Sequence, residues 1–202
     1  RKLDLIKLAK KNAEISLENN IQNEKRLAYI LQKLKENLSL SSLPKRIECF
    51  DISNTQGTNP VASMVVFSNC EPDKSKYRKF KINCKGPNDY EMMKEAIQRR
   101  LKRIDQDGWE KPDLILIDGG KGHLNKISSL IPKNIDVASI AKPLKKENID
   151  KIYLPNQKDS VEFNKDIEPL NILINLRNEA HRFAITFHKS RRSKEMLGQL
   201  KT

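Results

Sequence analysis

Cysteine is scarce in this chain. There are three in 202 residues, Cys49, Cys70 and Cys84, with no C-x-x-C spacing among them. Such an odd set excludes a disulfide framework and a cysteine-based zinc site, and reads as buried thiols of a reducing cytoplasm. Long apolar runs are missing too. Nothing approaches the roughly 20 residues that span a bilayer, and no secretory signal opens the chain, so a membrane-embedded or exported protein is not expected. Aromatics make up only 5% of the residues. Trp109, Tyr77 and Tyr153 are the candidates for exposure, too few for a surface that stacks on successive bases. The turn Gly119-Gly120-Lys121-Gly122 lacks the spacing and the Lys-Ser/Thr pair of a P-loop. Acidic residues are in deficit, with Lys+Arg 39 against Asp+Glu 26 and a net charge of +13. That balance favours a polyanionic partner, with nucleic acid and an anionic membrane surface as the candidates.

The chain that remains is rich in pattern. Residues 1–43 read as a helical extension or linker. Leu5, Leu8 and Ala9 share one face, Leu31, Leu34 and Leu38 another, and Asn19-Asn20 with Gln22-Asn23 interrupt them, which suggests a surface helix pair. Arg1 opens within that pattern, as expected of a piece of a longer protein. Residues 44–202 read as one domain. Strand-like runs cover Arg46–Ser53, Val61–Ser68 and Tyr77–Asn83, joined by short polar loops. Asn88 and Glu91 then resemble a capping box, ahead of a helix on which Tyr90, Met93, Ile97, Leu101 and Ile104 repeat. Strand Leu114–Asp118, a helix from Lys121 to about Ile131, strand Ile135–Ala141 and a helix from about Pro169 to Met196 follow. Brief strand-like pieces lie at Ile152–Leu154 and Val161–Phe163. The order β-β-β-α-β-α-β-α predicts an α/β fold with a mixed sheet, antiparallel on one side and parallel on the other.

Two of these strands end in a carboxylate. Leu114-Ile115-Leu116-Ile117 runs into Asp118, and Ile47-Glu48-Cys49-Phe50 into Asp51. An acid at the tip of a buried strand is costly unless a cation pairs with it, or it merely forms the turn. If the strands are neighbours the two carboxylates converge, and paired carboxylates suit Mg²⁺ with positions left for phosphate. Asp89 opens the helix after the first strands. It serves either the helix dipole or the same site. His181 shares a helix face with Ile174, Arg177, Ala184 and His188, and two cationic groups on such a face call for an anion or a metal. Lys189, Arg191, Arg192 and Lys194 form one basic run and Lys142, Lys145 and Lys146 another, which fits contact with the phosphate backbone.

Four segments, taken in order, resemble a known family. They are Arg46-Ile-Glu-Cys-Phe-Asp-Ile-Ser53, Asn88-Asp-Tyr-Glu-Met-Met93, Leu116-Ile-Asp-Gly-Gly-Lys-Gly122 and Arg177-Asn-Glu-Ala-His-Arg-Phe-Ala-Ile-Thr-Phe-His188. Together they look like the C-terminal endonuclease half of UvrC, the nuclease subunit of bacterial nucleotide excision repair. The resemblance implies a ribonuclease H-like fold and a divalent-metal site, Mg²⁺ or Mn²⁺, held by Asp51, Asp89, Asp118 and His181. It implies the incision 5′ to a lesion in double-stranded DNA, by two-metal hydrolysis, within a UvrB–DNA complex in the cytoplasm. A second nuclease module and the UvrB-binding segment would precede these residues, and a helix-hairpin-helix tail would follow them. Lys121, Lys142, Arg177, Arg182, Lys189, Arg191 and Arg192 are the candidates for holding DNA. Asn54, Asn88 and Asn178 stand where the family has His, Asp and Asp. Those changes are the warrant for a rival reading, a catalytically silent DNA-binding scaffold. A polynucleotidyl transferase or ribonuclease of the same fold is the other rival.

Overall fold

The computed structural model describes residues 2–53, 60–84, 88–143, 149–163 and 167–199, without the side chains of Ser53 and of residues 187–199. Helix α1 (Lys2–Asn37) leads into strands β1 (Arg46–Ser53), β2 (Val61–Ser68), β3 (Glu71–Pro72) and β4 (Arg78–Lys81). Then come α2 (Asp89–Leu101), β5 (Leu114–Asp118), α3 (Lys121–Ser128), β6 (Asp136–Ala141), β7 (Lys151–Tyr153) and α4 (Glu168–Gln199). A single 3₁₀ turn, Lys74–Lys76, precedes β4. The sheet runs β3-β2-β1-β5-β6-β7, and β4 shares the outer edge of β2 with β3. β1 is antiparallel to β2 and parallel to β5, β5 is parallel to β6, and β7 closes the far edge antiparallel to β6. The mixed sheet expected from the element order is therefore the one observed, and it has the α/β architecture of the ribonuclease H-like fold.

Side chains alternate across a strand, so β1 serves two layers at once. Glu48 faces α2, where Arg100 donates two hydrogen bonds to it at 2.7 and 2.8 Å, and both side chains are fully buried. Arg100 also donates to the Glu110 carbonyl and lies 5.4 Å from the Trp109 ring centre. Asp51, an odd number of residues away, faces α4. The core between the layers is apolar and mostly aliphatic: Ile47, Phe50, Val65, Leu114, Leu116, Ala138, Leu173 and Leu176 are all essentially inaccessible.

Several local expectations are corrected. α1 is one continuous helix, not a pair. Asn and Gln cost a helix only a few tenths of a kcal/mol each, and the segment holds no Gly or Pro to break it. Its C-terminal third belongs to the core through Ile30, Leu31 and Leu34, while Leu3, Leu5, Ile6 and Leu8 are exposed. Tyr77 is buried, packing edge-on against Phe183 and donating its hydroxyl to Glu179. Trp109 and Tyr153 are only partly exposed. Val161 makes a single bridge to Ile152 rather than a strand. Among the described residues no helix is long and apolar enough to cross a membrane.

Candidate metal centre

The parallel register of β1 and β5 places the first two groups. Ile47 pairs with Leu114 and the register continues to Phe50 opposite Ile117. One step further along each strand stand Asp51 and Asp118. Register partners in parallel strands point to the same face, here the one covered by α4. That helix supplies His181, whose Nδ1 lies 3.4 Å from Asp51 Oδ2. One ligand atom from each of Asp51, Asp118 and His181 lies within 4.8 Å of the others. The buried hydroxyl of Ser63, the residue paired with Asp51 across β1 and β2, holds the cluster together from behind. It lies 3.2 Å from the carbonyl of Ala180, just before His181, and 3.4 Å from the carbonyl of Asp51.

The electrostatics show what the cluster is short of. Asp51 is 7% exposed, and its Oδ2 is buried without a full hydrogen bond. Burial, then the charge of Asp118, push its carboxyl up from 3.8 to about 6, against the pull of His181 and Lys142. Burial also raises Asp118, opposed by Arg177, His181 and Lys142. The Cys49 thiol between them is held well above its usual range, first by burial and then by both carboxylates. Two acids that burial drives toward protonation, one with an orphaned oxygen, lack a strong local cation. Two carboxylates and an imidazole, with the imidazole open to solvent, form a donor set that fits a divalent cation.

Arg177 does not supply that cation directly. It is buried, donates to Asp150 at 2.5 Å and to the Asn178 side chain at 2.8 Å, and so is engaged inside the protein rather than offered to a strand. The two cationic groups foreseen on α4 thus have separate acids, Asp150 for Arg177 and Asp51 for His181. Lys142 is exposed, and close enough for its charge to act on both Asp51 and Asp118. Arg182 is exposed and paired with Glu179. Lys121 donates to the Lys158 carbonyl at 3.0 Å. The side chains of Lys189, Arg191, Arg192 and Lys194, and residues 54 and 145–146, lie outside the described residues.

Asp89 is exposed at the first turn of α2 and is not one of the three clustered ligands. It lies at the same end of the sheet, since its charge and that of Asp118 both act on His123. His123 packs on Tyr90 with ring centres 4.2 Å apart, and Lys126 Nζ sits 3.9 Å from the Tyr90 ring centre. This packing explains Gly119 and Gly122, but not Gly120, where a Cβ would meet nothing. A Cβ on Gly119 would lie 2.8 Å from the His123 ring, and one on Gly122 would lie 3.2 Å from the Tyr90 hydroxyl. Asn88 caps α2 by accepting from the Tyr90 and Glu91 amides, and Asn178 accepts from Arg177. Both asparagines therefore have structural partners of their own, apart from the three clustered ligands.

A family model described as the UvrC RNase H endonuclease domain matches residues 35–185. The chain belongs to this family. It is 45% identical over 201 residues to the UvrABC system protein C of Methanosphaera stadtmanae, covering 95% of this chain and 33% of that protein. It is 43% identical over 204 residues to the UvrABC system protein C of Cytophaga hutchinsonii, covering 97% and 33%. The chain thus spans about a third of the length of these relatives. Among solved structures, Ciona intestinalis endonuclease V bound to inosine-containing DNA is similar at 19% identity and a TM-score of 0.40, over 59% of this chain and 58% of that one.

Several residues around this UvrC-type site escape a reading by motif. Ser63 sits in an apolar strand, and only the cross-strand register reveals its place beside Asp51. Asp150 lies in a polar stretch with nothing to mark it. His123 follows the glycine turn, and its helical neighbours gave no sign that Tyr90, 33 positions earlier, would stack on it.

Proposed function

We propose that this domain hydrolyses a DNA phosphodiester 5′ to a lesion, using a divalent cation, Mg²⁺ or Mn²⁺, bound by Asp51, Asp118 and His181. The observation that carries the reading is the convergence of those three groups around an orphaned, buried carboxylate oxygen. A cation bound there supplies an activated water and stabilises the oxygen that leaves. Asp51 is the central ligand, held between Asp118 and His181. Asp89, at the same end of the sheet, would be the further ligand for a second cation. Ser63 fixes the distance between α4 and β1, and Arg177 moderates the charge on Asp118 from its pairing with Asp150.

The substrate is double-stranded damaged DNA delivered in a UvrB-bound complex, and the setting is the cytoplasm. A net charge of +13 supports backbone contact of low sequence selectivity. Lys121, Lys142 and Arg182 are the described candidates for that contact, with Lys189, Arg191 and Arg192 beyond them on α4. Incision mapping tests the reading. The full chain, reconstituted with its repair partners on a duplex carrying one defined adduct, should cut on the 5′ side with Mg²⁺ or Mn²⁺ and stop on chelation. Asp118→Asn should lower the rate on the order of 10³-fold, the equivalent of about 4 kcal/mol of transition-state stabilisation. Undiminished 5′ cutting by Asp118→Asn would refute the assignment.

A further inference from the structure

Two open depressions flank α3, and they join. The first, about 430 Å³, is lined by Lys121, Asn125, Ser128, Asn156, Gln157 and Lys158. The second, about 530 Å³, shares Ser128, Asn156 and Gln157 and continues past Lys133 to Leu38–Leu40, just after α1. The result is one groove between α3 and the turn that follows β7. It begins at Lys121, three residues after Asp118, and ends against Leu38–Leu40.

The walls differ along the groove. Beside α3 the side-chain amides of Asn125, Asn156 and Gln157, the hydroxyls of Ser128 and Ser129 and the cations Lys121, Lys133 and Lys158 form the polar lining, while Leu38, Leu40, Ile131, Ile135, Val137 and Leu154 make the far end largely apolar. The acid among them is Asp136, already engaged by the amide and hydroxyl of Ser41 at 2.8 Å each. The turn is shaped to present its polar groups. Asn156 has φ of 62°, a left-handed conformation that Asn accepts more readily than most residues. Lys121 Nζ ties the turn to α3 through the Lys158 carbonyl. α3 is eight residues long, about 12 Å, comparable to the axial rise of three to four nucleotides in one strand of a duplex. Amides, hydroxyls and lysines without a free carboxylate are the groups that contact phosphate and sugar without reading bases.

We infer that this groove is a binding track for the sugar–phosphate backbone of the DNA strand flanking the cut. The inference rests on the nuclease reading for its orientation, because Lys121 follows Asp118 by three residues in the turn from β5 into α3. It commits to a nucleic-acid strand over a peptide on the strength of the three lysines and of that closeness in the chain.

Photochemical cross-linking tests it independently of cutting. The full chain carrying Asn125→Cys or Gln157→Cys, in a Cys84→Ser background, is bound to duplexes with a photoreactive group on single phosphorothioates near the incision position. Both exposed cysteines should cross-link to a run of about three or four adjacent phosphates, and Glu71→Cys on the opposite sheet edge should not. Equal labelling of Glu71→Cys, or none at either groove position, would overturn the proposal. In parallel, Asn125→Glu with Gln157→Glu should weaken DNA binding at low salt by about tenfold or more, through two new like charges beside phosphate. Its metal requirement should be unchanged. Wild-type affinity and incision in that double variant would overturn the groove while leaving the nuclease reading intact. A wild-type protein that cross-links through the groove but never cuts would sink the nuclease reading and leave the groove standing.

Discussion

His181 Nδ1 stands 3.4 Å from the Asp51 oxygen that makes no full hydrogen bond, so the imidazole approaches the buried acid without satisfying it. An acid in this position is costly to the metal-free fold. Its carboxyl is raised from 3.8 to about 6, chiefly by burial and next by Asp118. Between those values the folded state binds more protons than the unfolded one, so stability falls as pH rises through that window and levels off above it. Removing the charge should therefore help the metal-free protein. Asp51→Asn should be more stable than wild type above pH 6, by up to about 3 kcal/mol, and the gap should close toward pH 4. Denaturant melts with chelator present, at several pH values, give the slope. A difference that grows on acidification would contradict it.

Ser63 is the second place to look. Its hydroxyl bridges toward Asp51 and Ala180 from within β2. Ser63→Ala should cost about 0.5–1.5 kcal/mol of stability and loosen the His181–Asp51 spacing. A several-fold higher Mn²⁺ midpoint for incision is expected, with saturating rate less affected. An unchanged midpoint would leave Ser63 a packing residue only.

The Arg177–Asp150 pair is buried on both sides, with 8% side-chain exposure each. Removing one partner of such a pair strands the other charge. Arg177→Met should destabilise by about 3–5 kcal/mol. Asp150→Asn combined with Arg177→Met should recover much of that loss, measured as a double-mutant cycle in urea. Strict additivity of the two changes would show that the pair is not coupled.

Gly119 is needed for space. A Cβ there would meet the His123 ring at 2.8 Å, and the φ of 158° is one that residues with a side chain rarely adopt. Gly119→Ala should cost about 1–3 kcal/mol through overpacking. His123→Ala in the same chain should relieve part of it, despite losing the stack on Tyr90. If Gly119→Ala is equally costly with and without His123, the strain is in the backbone instead.

Much of this was legible in the sequence where a local rule decided the outcome. The runs ending in Asp51 and Asp118 were visible as strands because four residues, Ile47–Phe50 and Leu114–Ile117, all buried in the fold, precede each acid. Parallel pairing followed from the βα order. The groups brought in by tertiary packing were not legible. Arg177 looked like a hand for DNA because its partner Asp150 lies 27 residues away. Tyr77 looked exposed because nothing local shows that Phe183 and Glu179 cover it. Asp89 carries a helix-start signal, and the cap formed by Asn88 satisfies that signal without deciding a role in metal binding.

The central claim is that Asp51, Asp118 and His181 bind a divalent cation, and Mn²⁺ binding followed by electron paramagnetic resonance tests it directly. Titrating the full chain should deplete the free-ion signal to a saturating, stoichiometric end point. Asp118→Asn should weaken that binding by at least about tenfold, with the far-UV spectrum of the fold retained. Equal Mn²⁺ affinity in wild type and Asp118→Asn, both folded, would contradict the account.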